Sequence, residues 1–113
     1  MKEIKAIVQP FMLEKVFDEL RKHSGLPGVT VSEVIGWGKS RAENAEEEAS
    51  EEGSAFAKKT KLEIVVADEH LDSIVEIITR AARTGRPGDG KIFISDVLDV
   101  VRIRTGLRGG EAL

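Results

Sequence analysis

The chain has no cysteine and no tyrosine among its 113 residues, and only three prolines. Without cysteine there is no disulfide framework, no thiol nucleophile and no cysteine-based metal site. Aromatic residues make up 4% of the chain, four phenylalanines and one tryptophan. No apolar run approaches the roughly 20 residues of a membrane span, so no membrane insertion is expected. The N-terminus, Met1-Lys2-Glu3-Ile4, enters a strand pattern directly and does not resemble a signal peptide. The expected compartment is the cytoplasm. An excess of basic charge is also missing: the net charge is −3. A nucleic-acid binder would usually show a broad basic face, so none is expected as a partner.

A hydrophobic content of 41% with 33% charged residues describes a globular protein, and the length suits one domain over 1–113. The charge is unevenly spread. Glu43, Glu46, Glu47, Glu48, Glu51 and Glu52 crowd one segment. Removing those six from the 20 acidic residues leaves 14 against 17 basic ones, a mildly basic body of charge +3.

Hydrophobic periodicity divides the chain into two similar halves. Ile4, Ala6 and Val8 alternate as one face of a strand that Pro10 ends. Leu13, Val16, Phe17 and Leu20 recur at helical spacing, and Ser24-Gly25-Leu26-Pro27-Gly28 stops that helix. Val29 to Ile35 is rich in β-formers and closes on Gly36-Trp37-Gly38. From Lys39 to Ala55 there is no usable apolar period, which predicts a long loop over about 38–56, and loops of that length are usually functional or disordered.

The second half repeats the plan. Leu62, Ile64 and Val66 share one strand face, Asp68 stands where a helix N-cap would, and Leu71, Ile74, Val75, Ile78, Ala81 and Ala82 form an amphipathic stripe. Lys91 to Val97 predicts a strand and Val100 to Arg104 another, with a glycine-rich, mobile tail over about 106–113. Strand–helix–strand twice over is the order of the α+β, ferredoxin-like split βαβ sandwich. Its uncovered sheet face would still carry Ile7, Val65 and Phe93, so a homo-oligomer is expected.

Chemistry concentrates in Thr84-Gly85-Arg86-Pro87-Gly88-Asp89-Gly90-Lys91. Glycines let backbone N–H groups approach an anion, and a cation follows at the start of a strand. Gly85 to Lys91 fits most of a Walker A motif, but Ile92 stands where Ser or Thr should hold magnesium. A strand rather than a helix follows, so the nucleotide-hydrolase reading of that motif fails. Arg102 and Arg104, on a strand, would project together, and guanidinium forks match phosphate oxygens. His23 and His70 lie far apart in sequence, each in or at the start of a helix with no second ligand at i+4, and read as surface histidines. No metal-ligating set and no catalytic set is suggested by spacing.

With these residues in place, the chain resembles the PII signalling family over nearly its whole length. The resemblance rests on Ile4 to Phe11, with Gln9 for a usual lysine, and on Lys61 to Val66. It rests above all on Thr84 to Phe93 and on Val101-Arg102-Ile103-Arg104-Thr105-Gly106, in register. It implies a homotrimer with adenine nucleotides in three clefts between subunits, and no cofactor beyond ATP, ADP or AMP, with or without Mg2+. By position, Gly88, Asp89, Gly90 and Lys91 would wrap the phosphates, and Arg102 and Arg104 would meet them from the neighbouring subunit's side. Thr30, Glu63 and Val65 would surround the adenine. Gly36, Trp37 and Gly38, followed by Lys39, would line the base of the loop, with Lys59 at its far base.

The resemblance further implies a protein target for loop 39–55, whether a membrane transporter or a metabolic enzyme. The field would be nitrogen metabolism, inorganic carbon or other transport. The loop departs from the family pattern. Lys39 and Ser40 replace arginine and glutamine, which predicts weak 2-oxoglutarate binding, and no tyrosine is present for uridylylation. Two rivals differ in class. One is a slow nucleotide hydrolase or phosphotransferase on the same cleft, with Asp89 and Glu63 as its only suggestive acids. The other is a ferredoxin-like trimer of the copper-tolerance type that binds no nucleotide.

Overall fold

A computed structural model describes residues 1–38 and 56–113. The expected loop 39–55, with Lys39 and Ser40, lies outside the described residues. Strand β1 (Lys2–Val8) leads through a 3-10 turn (Pro10–Met12) into helix α1 (Leu13–Leu20). Strand β2 (Thr30–Trp37) and strand β3 (Phe56–Val66) follow. A second 3-10 turn (Asp68–His70) opens helix α2 (Leu71–Ala82), and strand β4 (Gly90–Asp96) completes the sheet. A last 3-10 segment spans Gly109–Ala112.

The sheet order is β2-β3-β1-β4, and each neighbouring pair is antiparallel. With both helices packed on one face, this is the expected ferredoxin-like α+β arrangement. Side chains alternate across a strand, and the register shows which set is covered. Ile4 pairs with Ile64 and Ala6 with Leu62, and all four are buried. They meet Val16 and Leu20 of α1 and Ile74 and Ile78 of α2 in one core. Burying an aliphatic side chain is worth about 1.5–3 kcal/mol, so this face alone commits the register. Phe17 departs from the expected stripe and is exposed, because α1 turns only Val16 and Leu20 fully inward.

Two local expectations are corrected. Asp68 makes no N-cap hydrogen bond; it lies within the 3-10 turn, and its carboxylate pairs with the N-terminal amine of Met1 at 2.8 Å. That partner and its hydrogen bond hold the Asp68 carboxyl below its ordinary value. The segment 106–113, expected as a mobile tail, carries a β-bridge between Val101 and Arg108, then the 3-10 segment, and buries Ala112.

Candidate functional site

The turn between α2 and β4 is closed by Asp89. Its carboxylate accepts the backbone N–H of Thr84 at 2.8 Å and of Gly85 at 3.0 Å, and also the Thr84 hydroxyl. Thr84 Oγ1 in turn accepts the N–H of Arg86 at 3.2 Å. The hydroxyl of Thr84, then the backbone donors, hold the Asp89 carboxyl below its ordinary value of 3.8. Asp89 is therefore spent on shaping the turn, and what the turn offers a ligand is its backbone together with Lys91.

Gly90 joins the turn to the sheet and is demanded there twice. Its φ is +107°, and a Cβ would fall 1.7 Å from the Ile7 carbonyl oxygen. β4 can thus pair with β1 from its first residue, Gly90 opposite Val8 and Lys91 opposite Ile7. Asp89, Gly90 and Lys91 line a hollow of about 370 Å³ beside α2, with Arg83 at its edge.

Thr30, Glu63 and Val65 gather elsewhere. Thr30 and Glu63 are direct cross-strand partners, and all three residues line a cleft of about 430 Å³. Val100, Ala112 and Leu113 of the C-terminal segment form another wall of the cleft. The Glu63 carboxylate lies 3.4 Å from Lys61 Nζ.

The arginine pair is arranged differently from expectation. Residues 101–104 form no strand: Val101 makes an isolated bridge to Arg108, and residues 103–105 turn. The N–H of Arg102 donates to the Leu107 carbonyl at 2.9 Å, and that of Gly106 to the Arg102 carbonyl at 2.7 Å. Arg102 and Arg104 therefore share no strand face. The Arg102 guanidinium donates to the Leu113 carbonyl at 3.0 Å, while Arg104 is exposed at the turn. Asp99 pins the base of this arm. It accepts from Arg108 Nε at 2.7 Å and from the N–H groups of Val100 at 2.8 Å and Gly109 at 3.0 Å. Leu98 and Ile103 are each 98% exposed, so the arm offers a strongly apolar surface as well as cations.

Comparison with known proteins bears on this arrangement. Residues 1–107 match the family described as Nitrogen regulatory protein P-II. The chain belongs to the PII family. It is 44% identical to the Nitrogen regulatory protein P-II of Rhizobium meliloti and 48% identical to that of Microchaete diplosiphon, over the full length of each chain. It is also similar to the crystal structure of Arabidopsis thaliana PII bound to citrate. That match has 40% identity and a TM-score of 0.78, covering 99% of this chain and 91% of the other. The chain is thus a PII signalling protein, of a family of trimeric regulators that bind small ligands and target proteins.

Within this PII chain, two contacts were missed by reading the sequence. Lys59 Nζ donates to the Gly88 carbonyl at 2.6 Å, and its stem passes Gly36, where an added Cβ would lie 3.7 Å from Lys59 Cγ. The end of β2 and the glycine turn are thus joined through one lysine. Gln9 also reaches the turn: an added Cβ on Gly88 would be 3.0 Å from Gln9 Nε2. Strand parity could have found Lys59, since it shares a face with Lys61 and Glu63. Gly36 and Trp37 end β2 opposite Ala57 and Phe56, and Gly38 is the last described residue before position 56.

The histidines also need correcting. His23 and His70, distant in sequence, meet edge to face with ring centroids 5.3 Å apart. Among the described residues no group of three or more His, Asp or Glu is placed to hold a metal ion. No helix among them is long and apolar enough to cross a membrane.

Proposed function

We propose that this PII protein reads adenine nucleotides at clefts between the subunits of a homotrimer and passes the reading to a protein target through residues 39–55. The carrying observation is that the site residues fall into two separate hollows of one chain. Thr30, Glu63 and Val65 line one, and Asp89, Gly90 and Lys91 line the other, with no residue in common. A nucleotide that needs both an adenine wall and a phosphate turn is best served by two copies, each giving one half. The exposed Leu98 and Ile103 on the arm that carries Arg102 and Arg104 favour the same arrangement, since the arm has apolar surface to bury on a neighbour.

The Lys59 link gives the transmission a physical route. Phosphate drawing on the turn at Gly88 would disturb the carbonyl that holds Lys59, and Lys59 lies against the loop base at Gly36. The target is a transporter or a metabolic enzyme, and loop residues decide which. Ser40, in place of the family's glutamine, leaves 2-oxoglutarate a weak ligand, as calorimetric titration into Mg-ATP-loaded protein would measure. The hydrolase reading finds its two acids engaged, Asp89 within its turn and Glu63 beside Lys61.

Calorimetry with ATP, ADP and AMP tests the proposal. Loss of one charge-assisted hydrogen bond costs about 1.5–3 kcal/mol, roughly 10- to 150-fold in affinity. Arg102→Ala and Arg104→Ala are each expected to weaken ATP binding by that amount. Two variants that bind ATP like the parent would overturn the site, and light scattering that reports a monomer would overturn the shared cleft.

A further inference from the structure

The histidine pair takes no part in the site above, yet it is built with care for hydrogen-bond direction. His23 sits in the turn after α1, and His70 ends the 3-10 turn before α2. His23 Nδ1 accepts the N–H of Gly25 at 2.9 Å, so this nitrogen carries no proton. The proton is then on Nε2, which donates to Ser73 Oγ at 2.7 Å, and the Ser73 hydroxyl donates to the His70 carbonyl at 3.1 Å. The chain of donors runs one way, from the turn into the first turn of α2. Only a neutral imidazole can stand at its centre. The His70 ring covers Gly25 so closely that a Cβ there would lie 2.5 Å from His70 Cδ2.

This fastened turn leads to the cleft. Pro27, Gly28 and Thr30, next along the chain, line the hollow of about 430 Å³ that holds Glu63 and Val65. The position of that wall depends on the turn, and the turn is tied to α2 through His23.

We propose that the His23–His70 pair is a proton-operated fastener on the nucleotide cleft: protonation of His23 frees the 23–28 turn from α2 and weakens nucleotide binding. The second half rests on the function proposed above. A proton on Nδ1 would face the Gly25 N–H, donor against donor. The imidazolium must turn away, losing the Gly25 contact and its packing against His70, and a second charge on His70 adds repulsion. The charged groups around the pair are these. Glu69 Oε1 lies 3.8 Å from His70 Nε2, and Asp72 adjoins Ser73. On the α1 side, Arg21 pairs with Asp18 at 3.4 Å and Lys22 with Glu19 at 3.0 Å.

Two measurements on the full chain test this. In the first, nuclear magnetic resonance follows the Gly25 amide and the His23 ring from pH 8 to 5, and needs no variant. The Gly25 amide is expected to shift with the same midpoint as the His23 ring. An amide that stays still while His23 titrates overturns the fastener. In the second, ATP affinity is measured at pH 7.5 and 5.5 for the parent and for His23→Asn, whose amide oxygen can accept the Gly25 N–H but takes no proton. The terminal phosphate gains a proton in the same window, so the comparison between proteins decides. The parent is expected to lose about two- to tenfold more affinity on acidification than the variant, the net worth of one hydrogen bond. Equal losses overturn the coupling to the cleft. If ATP does not bind the parent at pH 7.5, the nucleotide reading falls, and the Gly25 titration still decides the fastener.

Discussion

The turn before β4 and the arm after it are each closed by one aspartate, with different kinds of partner. Among the described residues Asp89 is held by uncharged donors, the hydroxyl and N–H of Thr84 and the N–H of Gly85. Asp99 is held by two backbone N–H groups and by the Arg108 guanidinium. The first turn hands straight into a paired strand. The second stands off the sheet, anchored by the Val101–Arg108 bridge and by Arg102 reaching Leu113. The Asp89 carboxylate is satisfied by a hydroxyl and backbone donors, while a cation from β3, Lys59, meets the Gly88 carbonyl of the same turn. The Asp99 carboxylate takes a guanidinium from within its own arm.

The difference is broken most severely at Gly90. Alanine there must adopt a positive φ and meets the Ile7 carbonyl at 1.7 Å, so β4 cannot keep its first pair with β1. Backbone strain and overpacking together predict a loss of roughly 3–5 kcal/mol. Urea unfolding measures it, and a loss under about 1 kcal/mol would mean that the strand shifts to accommodate the methyl.

Next in size is Asp89→Asn. The shape is kept, but an amide nitrogen now confronts donors that the carboxylate accepted. The turn is expected to open and ATP affinity to fall about tenfold, the order of a lost charged acceptor, with the sheet intact by circular dichroism. Asp99→Asn moves only the arm and should weaken ATP less. Equal effects in the two variants would erase the distinction between cradle and arm.

How much of this was legible in sequence depends on the range of the signal. Ile4, Ala6 and Val8, and Leu62, Ile64 and Val66, announced two strands of one face, because period-two burial is a local pattern that the core enforces. The α2 stripe was equally plain. The arm was misread because Val101-Arg102-Ile103-Arg104 has the alternation of a strand. Its conformation is set instead by Asp99 and Arg108, which lie outside that window. Asp68 looked like a cap, but the chain's own N-terminus outcompeted the helix for its carboxylate. The His23–Ser73 and Lys59–Gly88 contacts each join residues far apart in sequence, and no local pattern encodes them. The candidate site residues came from the resemblance alone; their division between two hollows follows from the fold and no local pattern announces it.

The smallest effect separates the two clamps by salt and acid. Both carboxyls lie below their ordinary value of 3.8, Asp89 through Thr84 and Asp99 through Arg108 first. A depressed carboxyl contributes stability that is fully present above its unfolded value and lost as pH falls through its folded value. Both clamps are therefore intact at neutral pH and release below about pH 4. The Gly85 and Gly109 amides report them separately, since each donates to one of the two carboxylates. Ionic strength of 1 M shortens the screening length to about 3 Å, and the Asp99–Arg108 pair is open to solvent. High salt should move the Gly109 midpoint up toward 3.8 and leave that of Gly85 in place, because neutral donors are screened little. Arg108→Gln should raise the Gly109 midpoint at low salt and abolish its salt response, while the Val100 and Gly109 donors still hold it below 3.8. If both amides shift equally with salt, the Asp89 turn also depends on a cation, and Arg83, Arg86 and Lys91 become the residues to substitute next.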